Sequence, residues 1–211
     1  MDRSRLEAFS DGVFAVAITL LALNLTVTGP GGARLTDQLG SHWPAFVAYL
    51  ISFFMIGIIW VNHHALVKTV KTVDRTLLFL NLVLLLFVVL IPFATATVAE
   101  YLSAPERLTH GGQDTRVAMA LYGAVFLGMS AGFGTIFEWT LHGERVYQPV
   151  PRERHWAARA RFVGGGLVYV VAIIVALVNA IASFVLIALV AVYYIVERTP
   201  SSAAGTESGD K

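Results

Sequence analysis

The sequence predicts an all-α integral membrane protein with six transmembrane helices and both termini in the cytoplasm. Three observations carry that prediction. Charged residues make up only 14% of the 211 residues and hydrophobic ones 56%, with a mean hydropathy of +0.69. A soluble domain carries about 25% charged residues. Six apolar segments each approach the ~20 residues that cross the hydrocarbon core. Lys and Arg also gather on alternate loops, which is the pattern of the positive-inside rule.

The segments run approximately over 6–27, 44–66, 76–99, 116–140, 160–179 and 181–197. The first opens Arg5-Leu-Glu-Ala-Phe9-Ser10-Asp11-Gly12 and stays apolar to Leu25. It is not read as a signal peptide, because Glu7 and Asp11 break the basic-then-apolar order. The run also exceeds a signal core of about 7–15 residues. The following loop, 28–43, begins Thr28-Gly-Pro-Gly-Gly, a backbone breaker. The second segment starts near Trp43 and Pro44 and ends Trp60-Val-Asn62-His63-His64. The third contains Asn81 and, near its outer end, Pro92, which is expected to kink it. In the fourth, Gly128 and Gly132 form a small-xxx-small spacing that lets helices approach closely. The fifth holds Gly164-Gly-Gly166, which serves packing or a hinge, and only Asn179 separates it from the sixth. One helix over both would be far too long for a bilayer, so a tight turn is placed near Asn179. Residues 1–198 thus read as one six-helix domain, and 199–211 as a disordered cytoplasmic tail.

With the N-terminus inside, the inner segments hold Arg3, Arg5, Lys68, Lys71, Arg75, Arg145, Arg152, Arg154, Arg159, Arg161, Arg198 and Lys211. The outer loops hold only Arg34, Arg107 and Arg116. A net charge of +1 gives no argument for a nucleic-acid partner. The absence of cysteine removes disulfides and thiolate metal sites. No second Phe-Ser-Asp occurs, so an inverted-repeat transporter finds little support.

A carboxylate inside a span costs roughly 2.5–3.5 kcal/mol on insertion scales, which makes Asp11 a candidate functional or paired group. On a helical wheel of about 100° per residue, with Val16 at zero, Thr19 falls near −60°, Leu20 near +40° and Leu23 near −20°. Asp11 falls near −140° on the same wheel, about the opposite side. If the stripe faces a central axis, Asp11 points at a neighbouring helix and its role is structural. The first two spans are antiparallel, so Arg5, Ser10 and Asp11 lie level with Trp60, Asn62, His63 and His64. These supply the donors that a buried carboxylate needs; alternatively the two histidines simply flank the interface as wetted ends. Vicinal histidines lack the i, i+4 spacing of a helical metal site, and no metal is expected. No Thr-Val-Gly-Tyr-Gly filter or relative of it is present.

Arg5-x-x-x-Phe9-Ser10-Asp11, followed by an apolar helix, resembles the signature of the lysosomal potassium channel family, transmembrane protein 175. The likeness is to its bacterial single-repeat members. The span count, the inside termini and the Trp60-x-x-His63-His64 end extend it over roughly residues 3–198. The resemblance implies a potassium-preferring channel of the cell membrane, a homotetramer whose first helix lines a central pore. It implies no cofactor, with K+ only as permeant ion, and no enzymatic activity. By motif position the constriction maps to Val16, Leu20 and Leu23, with Thr19 as the selectivity residue. The resemblance also implies that Arg5, Phe9, Ser10 and Asp11 bond to Trp60, Asn62, His63 and His64 and hold subunits together. Position 16 is usually a bulkier isoleucine or leucine in this family, so Val16 implies a wider constriction. The competing reading is a proton-coupled secondary transporter with Asp11, His63 and His64 as a relay. The missing repeat and the lack of mid-membrane charges weigh against it.

Overall fold

The structure, a computed structural model, describes residues 2–26, 29, 32, 34–105, 110–142, 145–147 and 152–196, without the side chains of 152–154, 157–158, 161–162 and 196. The tail 199–211 lies outside the described residues. Among the described residues the regular structure is helical. In chain order the helices are α1 (Arg3–Ala22), α2 (Leu35–Ser41), α3 (Trp43–Thr69), α4 (Arg75–Ser103), α5 (Gln113–Thr140), α6 (Arg152–Val178) and α7 (Ala180–Val196).

Each boundary has a local cause. The first apolar run continues beyond Ala22, yet α1 stops there. Its end tightens into i→i−3 bonds, Leu23 N–H to the Leu20 carbonyl (3.2 Å) and Leu25 N–H to that of Ala22 (3.1 Å). Pro44 sits in the first turn of α3, where a missing N–H would have been unpaired anyway. The Asp74 carboxylate caps α4 by accepting the Leu77 N–H at 2.7 Å. Pro92 lies inside α4 and removes the bond to the Val88 carbonyl. Three consecutive positive φ angles, 47° at His110, 66° at Gly111 and 83° at Gly112, reverse the chain before α5. His110, outside the membrane-spanning segments, has its pKa raised by its hydrogen bond to Asp114. That contact is strongest below the ordinary histidine range and fades as pH rises through the raised value.

Two further elements depart from the sequence reading. The short helix α2 lies within what reads as a loop. In addition, α6 begins at Arg152 rather than near 160. Hydropathy marks where apolar residues start, whereas the Arg-, Glu- and Ala-rich stretch before them has high helix propensity of its own. The turn near Asn179 is present as a one-residue break. The Asn179 carbonyl oxygen of the side chain accepts the Ala182 N–H at 3.0 Å and starts α7. Ser183 donates to the Ala172 carbonyl at 2.8 Å, which folds α7 back along α6.

Helices α3, α4 and α5, of 27, 29 and 28 residues, are long and apolar enough to cross a membrane, and shorter apolar stretches cover Val163–Val178 and Ala180–Ile195. α1 packs on α3 and α4, and α5 lies along α4. The glycine pair works at the latter contact: a Cβ at Gly132 would lie 3.0 Å from Leu84 Cα, and one at Gly128 would run into the Phe87 ring. A buried hydroxyl cluster also joins three helices, with Ser52 Oγ 2.7 Å from Thr95 Oγ1 and 2.8 Å from the Tyr122 hydroxyl. At one end of the bundle, the Arg3 guanidinium donates to the Lys68 carbonyl (3.1 Å). There too, Lys71 N–H meets the Arg145 carbonyl (2.8 Å) and Tyr147 N–H that of Thr69 (3.0 Å). Basic residues from the N-terminus, the α3–α4 link and the α5–α6 link are therefore gathered at a single end.

Gly132→Leu should lower the thermal midpoint in detergent, since overpacking costs about 1–3 kcal/mol. Gly134→Ala, where a Cβ meets nothing within 4 Å, should leave the midpoint unchanged or slightly higher.

Candidate functional site

α1 presents two faces with different environments. Leu6, Ser10, Phe14, Ala17 and Leu21, spaced by three and four residues, are buried against α3 and α4. The opposite side carries Val16 (55% exposed), Leu20 (38%) and Leu23 (70%), with Thr19 exposed among them. Leu23 lies just past the helix, on its tightened last turn. Thr19 donates to the Val16 carbonyl at 2.9 Å, which leaves its oxygen lone pairs outward.

The buried face is held by a polar chain. His63 Nε2 lies 2.7 Å from Asn81 Oδ1, and Asn81 Nδ2 donates to Ser10 Oγ at 3.0 Å. All three residues are at most 1% exposed. With the amide in that orientation, His63 donates through Nε2. Phe14 packs on the His63 ring at 5.5 Å. One line of bonds therefore crosses α3, α4 and α1.

Asp11 forms a second tie. Half-buried at the edge of the same face, it accepts the Trp60 indole N–H at 2.8 Å. His64 stacks on Trp60, with ring centroids 6.0 Å apart and planes 26° apart. Its Nδ1 is buried without a hydrogen-bond partner, as is Glu7 Oε1, which faces Arg3 Nε at the longer distance of 3.7 Å. The two adjacent histidines point to different surroundings, His63 inward to Asn81 and His64 along Trp60.

The remaining candidates stand apart. The Arg5 side chain is exposed, and its guanidinium forms no hydrogen bond or ion pair with the described residues. Phe9 is 49% exposed, and half-buried Asn62 borders a cavity described below. No group of three or more His, Asp or Glu side chains able to hold a metal occurs among the described residues. The residue that sequence reasoning left without a role is Asn81. Its signal was an amide inside the run Phe79-Leu80-Asn81-Leu82-Val83, where a group of this kind must find a partner or cost several kcal/mol.

Architecture and site together define a helical membrane protein whose first helix is fastened along one face and bare along the other. Comparison with known proteins gives this class a family. A family model described as the endosomal/lysosomal potassium channel TMEM175 matches residues 5–92, which contain every residue of the polar network. A potassium channel of Streptomyces collinus is 40% identical over 205 residues, covering 94% of either chain. The crystal structure of a lysosomal potassium-selective channel TMEM175 homolog from Chamaesiphon minutus matches with a TM-score of 0.77 at 32% identity, over 92% of this chain and 96% of that one. The mouse endosomal/lysosomal proton channel TMEM175 is 34% identical over 114 residues, half of this chain but 23% of its own length. The chain belongs to the TMEM175 family, and it covers nearly the whole length of the Streptomyces collinus and Chamaesiphon minutus relatives.

Asn81→Leu should lower the thermal midpoint by leaving Ser10 and His63 buried without partners, at about 1–3 kcal/mol for each group. Ser10→Ala should then cost less in the Asn81→Leu background than in the parent. A double-mutant cycle with equal costs would remove the bond from the account.

Proposed function

We propose that this chain is a potassium-preferring cation channel of the cell membrane, conducting passively through a homotetrameric pore lined by α1. In this reading six helices, α1 and α3 to α7, cross the bilayer with both termini on the basic, cytoplasmic side. The observation that carries it is the uncovered stripe of Val16, Thr19, Leu20 and Leu23 on a helix whose other face is fully engaged. The inner half of the same helix also carries Arg5, Glu7 and Asp11, charges that favour a protein-lined over a lipid-lined setting. The names of the bacterial relatives support the choice of ion.

Rings of Val16, Leu20 and Leu23 would form an apolar collar that sheds water when narrow and blocks ions. Thr19 offers oxygen lone pairs at the same level and would serve selectivity. Exposed Arg5 and Phe9 would meet a neighbouring copy beside the Asp11–Trp60 contact. The reading needs no cofactor and no structural metal, with K+ present only as the permeant ion, and it calls for a channel rather than an enzyme. The exchanger alternative gains nothing from the geometry: Asp11 bonds Trp60 while His63 bonds Asn81, so the three ionisable groups form no continuous relay.

The deciding experiment is a reversal potential in a planar bilayer with K+ on one side and Na+ on the other. A passive current reversing toward the K+ equilibrium potential is expected; saturating flux that requires a proton gradient would overturn the channel reading. Leu23→Ala should raise the basal leak severalfold. Thr19→Val should move the reversal potential toward that of Na+, and an unchanged value would exclude Thr19 from selectivity. Asp11→Ala should reduce recovery of the assembled oligomer more than it alters ion preference, as read by size-exclusion chromatography with light scattering.

A further inference from the structure

Behind α1 lies a cavity that the proposed pore does not use. Its volume is about 940 Å³, with walls from α3, α5, α6 and α7 and Ile18 of α1 at one edge. Phe53, Met55, Ile58, Met129 and Phe133 make most of the lining apolar. Phe54 (44% exposed) and Val61 (52%) border it, so it opens sideways as a groove.

Its dimensions select an occupant. The lining on α3 runs from Phe53 to Leu66, which at 1.5 Å per residue is about 20 Å of helix. One leaflet of a ~30 Å hydrocarbon core is about 15 Å deep. The groove is apolar over about the depth of one leaflet and open along its side. A flexible hydrocarbon chain of that length matches it.

The groove is also polarised along its length. Its inner end opens at Phe137 and Leu66. Glu138, next to Phe137, holds the Arg159 guanidinium through two contacts, one of them Nε to Oε2 at 2.9 Å. Lys68 is exposed two residues beyond Leu66. The apolar end reaches Met129 and Tyr169, deeper in the bundle.

We propose that this groove holds an acyl chain of a phospholipid from the leaflet at the basic end, with the headgroup phosphate beside Lys68 and Arg159. Because Ile18 and Trp60 line the same space, the lipid buttresses α1 and the indole that bonds Asp11. The inference rests on the chain being a membrane protein and not on ion conduction, so its test is independent of any current.

Gly57 supplies that test, since it lines the groove and a Cβ there meets nothing within 4 Å. Gly57→Phe therefore projects a ring into the groove from a position whose Cβ is unobstructed. The purified full-length chain would be reconstituted in vesicles of phosphatidylcholine and phosphatidylglycerol doped with a phospholipid bearing a diazirine on one acyl chain. After irradiation, peptide mass spectrometry reads where the lipid attaches. Adducts on the α5 peptide containing Met129 and Phe133 are expected, falling severalfold in Gly57→Phe while labelling around exposed Ile174 of α6 persists. Should that variant fail to fold, Ala65→Leu, at the exposed rim, obstructs the same opening. Labelling of the α5 peptide that is absent, or equal in parent and variant, overturns the proposal. So does protection of that peptide accompanied by cross-links between copies, which would make the groove a subunit contact.

Discussion

The structure depends on a constraint that lipid imposes: a polar side chain inside the bundle has no water to turn to and must be satisfied by the protein. Ser10, Asn81 and His63 satisfy one another, and each comes from a different helix. The serine side chain is short and the three groups are at most 1% exposed, so the bonds tolerate little rotation. Turning α1 by one residue, about 100°, would carry Ser10 away from the amide and leave the serine hydroxyl and Asn81 Nδ2 unpaired. The network therefore fixes the rotation of α1. In doing so it also fixes which residues occupy the opposite face, so the stripe of Val16, Thr19, Leu20 and Leu23 is a geometric consequence of bonds made on the other side.

The Asp11–Trp60 bond adds a charge to this frame at a place where a charge can be tolerated. An indole is a donor only, so it answers a carboxylate without introducing a second titrating group, and His64 stacked on it limits its movement. Asp11 is half-buried rather than enclosed, which keeps its desolvation below that of a carboxylate at mid-membrane. Trp60 also lines the lateral groove. The residue that anchors α1 is thus the one through which the membrane itself can bear on that helix.

How much of this was legible in the sequence follows from what each signal measures. Hydropathy reports exposure to lipid, so the apolar segments were visible, and the turn near Asn179 followed from length together with the polar Asn179 and Ser183. It does not report hydrogen bonds, so α1 ends at Ala22 while the apolar run continues, and α6 starts eight residues before its expected boundary. Period reports face, so the two sides of α1 could be drawn on a wheel. The partner of a polar residue depends on register between helices distant in sequence. Asn81 is 71 residues from Ser10, and no local pattern links them. Depth matching placed Ser10 and Asp11 level with the Trp60–His64 end, but could not say that Asn81 stands between Ser10 and His63.

In the proposed pore, the chemistry of the stripe limits what selectivity it can provide. Thr19 spends its hydroxyl proton on the Val16 carbonyl, so toward the axis it can act only as an acceptor, which suits a cation and gives nothing to an anion. A ring of such hydroxyls replaces part of a hydration shell, whereas stacked carbonyl rings replace nearly all of it. The apolar neighbours on the same helix contribute no ligands. Their influence is through width, and Val16 is the smallest of the three. Discrimination among monovalent cations must then come mainly from how far the collar opens and how much water an ion retains inside it, with Thr19 adding a modest preference for the ion that dehydrates more readily.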